Sequence, residues 1–202
     1  MSAPRTKKSK DERRRELLDA ARDAFVERGF GPAKVDDIVA KAGVARGTFY
    51  LYFADKRAVF EALVDDFLSR ISACVKSIDL AAGAPPPIEQ LRANIRRIVA
   101  LCLSEPTIVK LALFDATGVD PELDEKLSAY YEALRTFIAE SLEIGQSLGL
   151  IRDGDRRAMA AIGLGGLKEV LVDAVDGTLE PDEDALTDEI MRFLASGLLA
   201  RA

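Results

Sequence analysis

The chain has 202 residues, of which 49% are hydrophobic and 31% are charged, the composition of a globular protein with one large or two small domains. It contains no histidine and two cysteines, which excludes histidine-dependent acid–base catalysis, serine–histidine and cysteine–histidine nucleophile pairs, and zinc sites built from imidazole or thiolate ligands. The net charge of −6 divides into +5 over residues 1–57 and −11 over the remainder, which favours a basic nucleic-acid-binding head on an acidic body.

No apolar run is long enough to cross a bilayer, and the basic N-terminus lacks the apolar core of a signal peptide. We therefore expect a cytoplasmic protein without a membrane partner. Cys74 and Cys102 lie within helical apolar patterns, which favours buried thiols over a disulfide. The sequence offers no catalytic residues, and we expect neither a cofactor nor a metal.

The first predicted elements are a disordered basic arm over residues 1–10 and a helix that begins at Asp11, which we expect to be its N-cap. Gly29 ends this helix. Phe30 then folds back on Phe25, which is the contact that accompanies a glycine C-cap.

Residues 35–56, VDDIVAKAGVARGTFYLYFADK, predict two short helices joined by a tight turn. Gly43 ends the first helix because glycine adopts the left-handed conformation without a Cβ penalty. The second helix runs from about Arg46 to Phe53, and Phe49 and Phe53 share the face that packs inward. The other faces carry a cation, a hydroxyl and phenols but no carboxylate. This pattern is typical of a DNA-binding helix-turn-helix, whose second helix enters the major groove.

The run AGVARGTFYLYFADKRAVF resembles the N-terminal signature of the TetR/AcrR family of bacterial one-component regulators. The matching residues are Ala42, Gly43, Val44, Gly47, Thr48, Phe49, Tyr50, Tyr52, Phe53 and Lys56. Two positions depart from the family pattern, because Lys34 stands where the family usually has threonine and Ala45 where it often has serine. Lys34 cannot accept a capping hydrogen bond, and Ala45 removes a cap at a typical cost of about 1 kcal/mol.

The second predicted helix and its flanks supply the DNA-contact residues. By position, we expect Arg46 and Thr48 to contact base edges, since arginine donates two hydrogen bonds to guanine and threonine contacts a base or a thymine methyl. Leu51 adds an apolar contact, and the glycine before Thr48 lets the backbone come close. The resemblance implies that the two tyrosines and Lys56 grip phosphates, and Lys34 contacts a phosphate by charge. The predicted set is Lys34, Arg46, Gly47, Thr48, Tyr50, Leu51, Tyr52 and Lys56. For Arg46, a solvated surface charge is the alternative.

The remaining chain predicts only helices, interrupted by Ala81–Pro87. Their expected ranges are Lys56–Ile78, Ile88–Leu103, Pro106–Gly118, Asp120 to about Gly145–Leu148, a very apolar helix capped by Asp155, and Asp182–Leu199. We therefore predict an all-α fold of about nine helices. The resemblance implies that residues 11–57 form a three-helix DNA-binding domain with the helix-turn-helix, and that residues 58–202 form an effector-binding and dimerisation domain.

The resemblance implies that the last two helices pair with their copies in a second subunit. Gly163, Gly165 and Gly166 lie inside an apolar helix, where each costs up to about 1 kcal/mol relative to alanine, which favours close approach of a helix or a ligand. A tight crossing within one subunit is the alternative. The predicted interface residues are Gly163, Gly166, Leu167, Val170, Ile190, Phe193, Leu194 and Gly197. Two-fold symmetry would place the recognition helices about 34–36 Å apart, so we expect a palindromic operator.

The resemblance also implies an effector pocket between helices of the second domain. Candidate lining residues are Ile98, Leu101, Cys102, Ile108, Leu111, Phe114, Tyr130, Tyr131 and Phe137. For any one of them, an ordinary place in the apolar core is the better interpretation. A lining of this kind favours a hydrophobic or aromatic ligand, whose binding would move the heads away from operator spacing and release the DNA.

The leading interpretation is a homodimeric, ligand-responsive repressor without catalytic activity. An activator, or a regulator with a vestigial pocket, remains open within the same family. Outside it, the alternatives are an all-α enzyme or carrier of lipophilic ligands with an incidental basic head, and a protein-interaction adaptor.

Overall fold

The structure is a computed structural model that describes residues 9–112 and 121–199, with the exception of the Leu123 side chain. Within these ranges the chain forms nine α-helices and no strand, which confirms the all-α prediction. The helices are α1 (Lys10–Arg28), α2 (Val35–Ala42), α3 (Arg46–Tyr50), α4 (Lys56–Cys74), α5 (Pro87–Ser104), α6 (Pro106–Lys110), α7 (Pro121–Ser147), α8 (Arg156–Asp176) and α9 (Glu183–Leu198). None of the helices described is both long and apolar enough for a membrane span.

The helices belong to two compact units, Met1–Leu68 and Ser69–Ala202, so the boundary between the units lies within α4. In the first unit, α1 packs against α2 and α2 against α3. In the second unit, α7 packs against α8 and α5 against α9, and α8 also contacts α5, α6 and α9. The assignment of DNA binding to residues 11–57 and of effector binding and dimerisation to residues 58–202 stays a prediction.

The start of α1 differs from the sequence-based expectation. Its N-cap is Ser9 rather than Asp11, so the last two residues of the predicted arm, residues 1–10, belong to the helix start. The N–H of Glu12 donates to Ser9 Oγ (3.1 Å), and the N–H of Ser9 donates to Glu12 Oε2 (2.7 Å). This capping box satisfies two backbone donors at once, whereas a cap at Asp11 would place Arg14, which has no acceptor, at the reciprocal position. The rest of the arm lies outside the described residues.

The C-terminal end of α1 forms as predicted and organises the core of the first unit. Gly29 has a φ of 78°, and its N–H donates to the carbonyl of Phe25 (2.8 Å). The Phe30 ring lies 5.4 Å from the Phe25 ring and 4.4 Å from the ring of Phe60 on α4, measured between centroids. This aromatic cluster joins α1, the loop after it and the first half of α4, which borders the helix-turn-helix.

α4 ends at Cys74, four residues earlier than predicted, because side chains of α5 bind the backbone that follows it. The buried Asn94 accepts a hydrogen bond from the N–H of Lys76 (3.1 Å) and donates one to its carbonyl (2.8 Å). Gln90 makes the same pair of bonds to Asp79, at 2.8 and 2.7 Å. These amide pairs replace the intrahelical bonds that the apolar periodicity predicts for this segment.

The later helices agree closely with their predicted ranges. Asp155 caps α8 by accepting from the N–H groups of Arg157 and Ala158, and Asp182 caps α9. The last part of the predicted helix Pro106–Gly118 lies outside the described residues. The buried apolar side chains of the second unit include Ile95, Ile98, Val99, Cys102, Ile108, Val109, Leu127, Leu142, Met159, Leu171, Val172, Ile190 and Met191.

Candidate DNA-binding surface and effector region

The turn between α2 and α3 follows from its local sequence. Gly43 has a φ of 63° and a ψ of 36°, the left-handed conformation expected at this position. Ala45 precedes α3 without a side-chain capping bond, as its methyl group dictates. At the start of α2, the backbone N–H of Lys34 donates to Asp37 Oδ2 (2.9 Å), so half of a capping box survives without the threonine. The exposed Lys34 ammonium makes no capping hydrogen bond.

α3 is held by its aromatic inner face and exposes its outer face. Phe49 and Phe53 are buried with their ring centroids 5.7 Å apart, as predicted. The predicted DNA-contact residues on and beside α3 comprise four exposed residues, Arg46, Gly47, Tyr50 and Leu51, and two partly buried ones, Thr48 and Tyr52. The α-helical part ends at Tyr50, and Leu51 to Phe53 continue as a turn. The structure therefore brings six of the eight predicted DNA-contact residues onto one short element.

Arg46 makes contacts that the sequence did not predict. Its Nη1 donates to both carboxylate oxygens of Asp36 on α2, at 2.9 and 3.1 Å. Its Nη2 reaches Tyr50 Oη at 3.4 Å, and its guanidinium lies 5.9 Å from the centroid of that ring. The hydrogen bond to Tyr50 and the neighbouring Asp36 carboxylate raise the pKa of Arg46, so it stays charged. No sequence signal identified Asp36, because its approach to Arg46 depends on how α2 and α3 pack.

Lys56 is anchored inside the first unit. Its Nζ donates to the backbone carbonyls of Phe30 (2.6 Å) and Gly31 (2.8 Å) and lies 4.5 Å from the Phe30 ring centroid. Burial lowers the pKa of Lys56. Two of its three N–H donors therefore hold the loop between α1 and α2, a structural role that the family resemblance did not indicate.

The predicted effector-contact residues divide by depth in the second unit. Fully buried are Ile98, Cys102, Ile108 and Leu111, partly buried are Leu101, Tyr130 and Tyr131, and Phe137 is exposed. Phe114 lies outside the described residues. Two surface clefts, one between α5 and α9 and one between the C-terminal half of α7 and the start of α8, are lined by other residues. Burial raises the pKa of the Cys102 thiol to about 12, so this cysteine is an un-ionised core residue.

Among the residues that the structure describes, Tyr131 on α7 has a buried hydroxyl that lacks a hydrogen-bond partner. Its Oη is buried and makes no hydrogen bond with any described residue. The Lys168 ammonium on α8 lies 5.6 Å from its ring centroid, and burial raises the pKa of Tyr131 to about 12. The neighbouring Tyr130 Oη lies 3.2 Å from Ser72 Oγ on α4. A buried hydroxyl without a partner is costly, and it marks a position where a ligand can supply the missing acceptor or donor.

The predicted interface residues lie on α8 and α9 with different exposures. Phe193 is 65% exposed, and Ile162, which was not predicted, is 63% exposed. Ile190 is buried, so its side chain is not available to a partner. A Cβ on Gly163 would lie 3.8 Å from Leu194 on α9 of the same chain, which supports the alternative of a close crossing within one subunit at that glycine. The other predicted residues are the exposed Gly166 and Gly197 and the partly buried Leu167 and Val170.

Comparison with known proteins adds independent findings. The family model for bacterial regulatory proteins of the tetR family matches residues 17–63. The uncharacterized HTH-type transcriptional regulator YdgC of Bacillus subtilis is 30% identical over 192 residues, which cover 94% of each chain. The solved fatty acid degradation regulator FadR from Bacillus halodurans is 25% identical, with a TM-score of 0.75 over 96% of this chain and 100% of that one. The transcriptional regulator FadR from Bacillus subtilis, solved in complex with stearoyl-CoA, is 24% identical, with a TM-score of 0.73 over 91% and 98%.

The match to YdgC extends over nearly the whole chain, and the family model covers the helix-turn-helix from α1 to α4. These relatives are transcriptional regulators, which excludes the enzyme interpretation. The family prediction is thereby confirmed: the chain belongs to the TetR family of bacterial regulatory proteins and is a transcriptional regulator.

Proposed function

We propose that this regulator is a homodimeric repressor that binds a palindromic operator through α3 and is released by an acyl-coenzyme A. The outward face of α3 carries the proposal. Arg46 and Tyr50 on α3 and Leu51 directly after it are exposed, while the buried rings of Phe49 and Phe53 fix the orientation of this element. A short helix with hydrogen-bond donors on its exposed side and an apolar group beside them suits the reading of base edges.

The proposed dimer interface lies on α8 and α9. Phe193 and Ile162 are large apolar side chains on these helices that stand exposed, and Gly165 and Gly166 on α8 are also exposed. Burial of such side chains against a second copy would remove apolar area from water at about 25 cal/mol per Å². A two-fold axis in this interface would pair two α3 helices with successive major grooves, and it would require a palindromic site.

The proposed ligand class is a long-chain acyl-coenzyme A. Apolar side chains of α5 and α6 suit an acyl chain. The Tyr131 hydroxyl, which has no hydrogen-bond partner among the described residues, and the Lys168 ammonium beside its ring suit a thioester carbonyl or an anionic group. One solved relative with this fold is a fatty acid degradation regulator by name, and another holds stearoyl-CoA. Together these observations support an acyl chain as the ligand class.

The DNA part of the proposal is tested with purified protein and random duplexes. Selection at moderate salt should recover a palindrome whose half-sites lie about one helical turn apart. Arg46→Ala and Tyr50→Ala should each weaken binding to that operator at least fivefold. Arg157→Ala, which removes an exposed cation of the second unit, should bind like the wild type. Equal weakening by all three changes would contradict the assignment of the site to α3.

The ligand part is tested on the operator complex. Two control compounds are coenzyme A alone and triclosan, an aromatic compound. Stearoyl-CoA should release the DNA at concentrations at which neither control has an effect. Tyr131→Phe should raise the concentration of stearoyl-CoA that is required. Retention of the DNA at all stearoyl-CoA concentrations would reject this ligand class. A reporter gene behind the operator separates the two directions of control, since a repressor lowers expression and an activator raises it. The proposed place of action is the nucleoid in the cytoplasm.

A further inference from the structure

The contact between Asp36 and Arg46 joins the first turn of α2 to the first turn of α3. The two side chains are 63% and 59% exposed, so the ion pair lies at the protein surface. Exposed pairs of this kind contribute little to folding stability. The contact therefore matters more for the orientation of the Arg46 side chain than for the stability of the fold.

The atoms involved leave the base-reading edge of Arg46 unused by the carboxylate. A guanidinium has five N–H donors, and both oxygens of Asp36 contact Nη1. The Nε–Nη2 edge presents two parallel donors, which is the number that guanine O6 and N7 accept. Nη2 makes one long contact, 3.4 Å to Tyr50 Oη, which a base can replace. Asp36 thus restrains the guanidinium without taking the edge that a guanine needs.

The negative charge of Asp36 also affects whether Arg46 binds a DNA phosphate instead of a base. An unrestrained arginine samples many rotamers and can bind a phosphate, a contact that carries no sequence information. A carboxylate beside the guanidinium repels phosphates and limits those rotamers before DNA binds. Both effects favour a base contact over a phosphate contact.

We propose that Asp36 is a positioning residue for sequence discrimination: it holds Arg46 in the geometry that reads a guanine and disfavours its phosphate contacts. This inference rests on the proposed function, because it requires Arg46 to contact a base edge. It adds that Asp36, a residue outside the predicted DNA-contact set, determines how strictly one base pair of each half-site is read.

The test uses the full-length protein, the selected operator, all single-base variants of one half-site, and an unrelated duplex. Dissociation constants are measured for the wild type, Asp36→Asn, Asp36→Glu, Arg46→Ala and the Asp36→Asn/Arg46→Ala double variant. Asp36→Asn should lose about fivefold or more in discrimination at the base pair where Arg46→Ala also loses it. Its affinity for the unrelated duplex should rise, with a log–log salt slope steeper by about one. Asp36→Glu should recover discrimination, and the double variant should discriminate like Arg46→Ala alone.

Glu27→Gln is the matched control. It removes an exposed carboxylate from the same unit, but that carboxylate pairs with Lys41 (2.6 Å) and not with α3. It should leave discrimination unchanged, and the thermal midpoints of all these variants should agree with the wild type.

Three results would overturn the inference. Unchanged discrimination in Asp36→Asn would mean that Asp36 does not position Arg46, and increased discrimination would mean that Asp36 masks Arg46. A loss spread equally over every base pair would mean that Asp36 only supports the fold of α2. If Arg46→Ala alters no base preference, the assignment of Arg46 to a base edge in the proposed function fails first, and the inference falls with it.

Discussion

Replacement of Lys56 by methionine tests whether the ammonium group of this lysine binds within the protein or binds DNA. Methionine keeps most of the apolar stem but removes the ammonium that binds the carbonyls of Phe30 and Gly31 and lies 4.5 Å from the Phe30 ring centroid. Hydrogen bonds from a charged donor contribute about 1.5–3 kcal/mol each, and a cation–π contact at an exposed site about 0.5–1 kcal/mol. Lys56 is only partly buried, so solvent weakens these interactions and their total contribution is well below the sum of the separate values. We therefore expect the free energy of unfolding to fall by about 2 kcal/mol.

The assay is urea unfolding of the full-length protein followed by far-ultraviolet circular dichroism, together with the salt dependence of operator binding. Lys34→Met is the matched control, since Lys34 is an exposed lysine of the same unit without a side-chain capping bond. It should change the unfolding free energy by less than about 0.5 kcal/mol and reduce the salt slope by about one. A Lys56→Met variant that unfolds like the wild type and has a salt slope reduced by about one would refute the structural role, because Lys56 would then act on a phosphate alone.

Three further predictions concern stability. Asn94→Ala leaves the N–H and carbonyl of Lys76 without their partners and should lower the unfolding free energy by about 2–3 kcal/mol in urea. Tyr131→Phe should remove one phenol ionisation near pH 12 from an ultraviolet titration. Because burial raises the pKa of Tyr131 above the usual 10, the wild type should lose folding stability between about pH 10 and 12. The variant should lose less stability over the same pH range. Gly43→Ala places a side chain at a φ of 63° and should cost about 1 kcal/mol. In Gly47→Ala the new Cβ would meet no heavy atom within 4 Å, so the free energy of unfolding should rise by up to about 1 kcal/mol. Thermal midpoints that shift in the same direction for both glycine variants would contradict these two predictions.

The features that sequence analysis predicted correctly depend on neighbours in the chain. The left-handed glycine after α2, the buried pair Phe49 and Phe53, and the aspartate cap of α8 each involve residues within a few positions of one another. Periodicity and capping chemistry act over that range, so the residue string alone determines them. The same holds for Ser9, because a serine three residues before Glu12 indicates a capping box, although we expected the N-cap at Asp11.

The sequence by itself determined the helical class, most helix boundaries and the family, because helix periodicity and the recognition signature are local patterns. Only the tertiary structure decided that Lys56 binds carbonyls near Phe30, that Asp36 restrains Arg46, and that Asn94 ends α4 by binding Lys76. These contacts join residues ten to twenty-six positions apart in the chain. Such contacts exist only when packing brings the elements together, and periodicity carries no information about which polar atoms then meet.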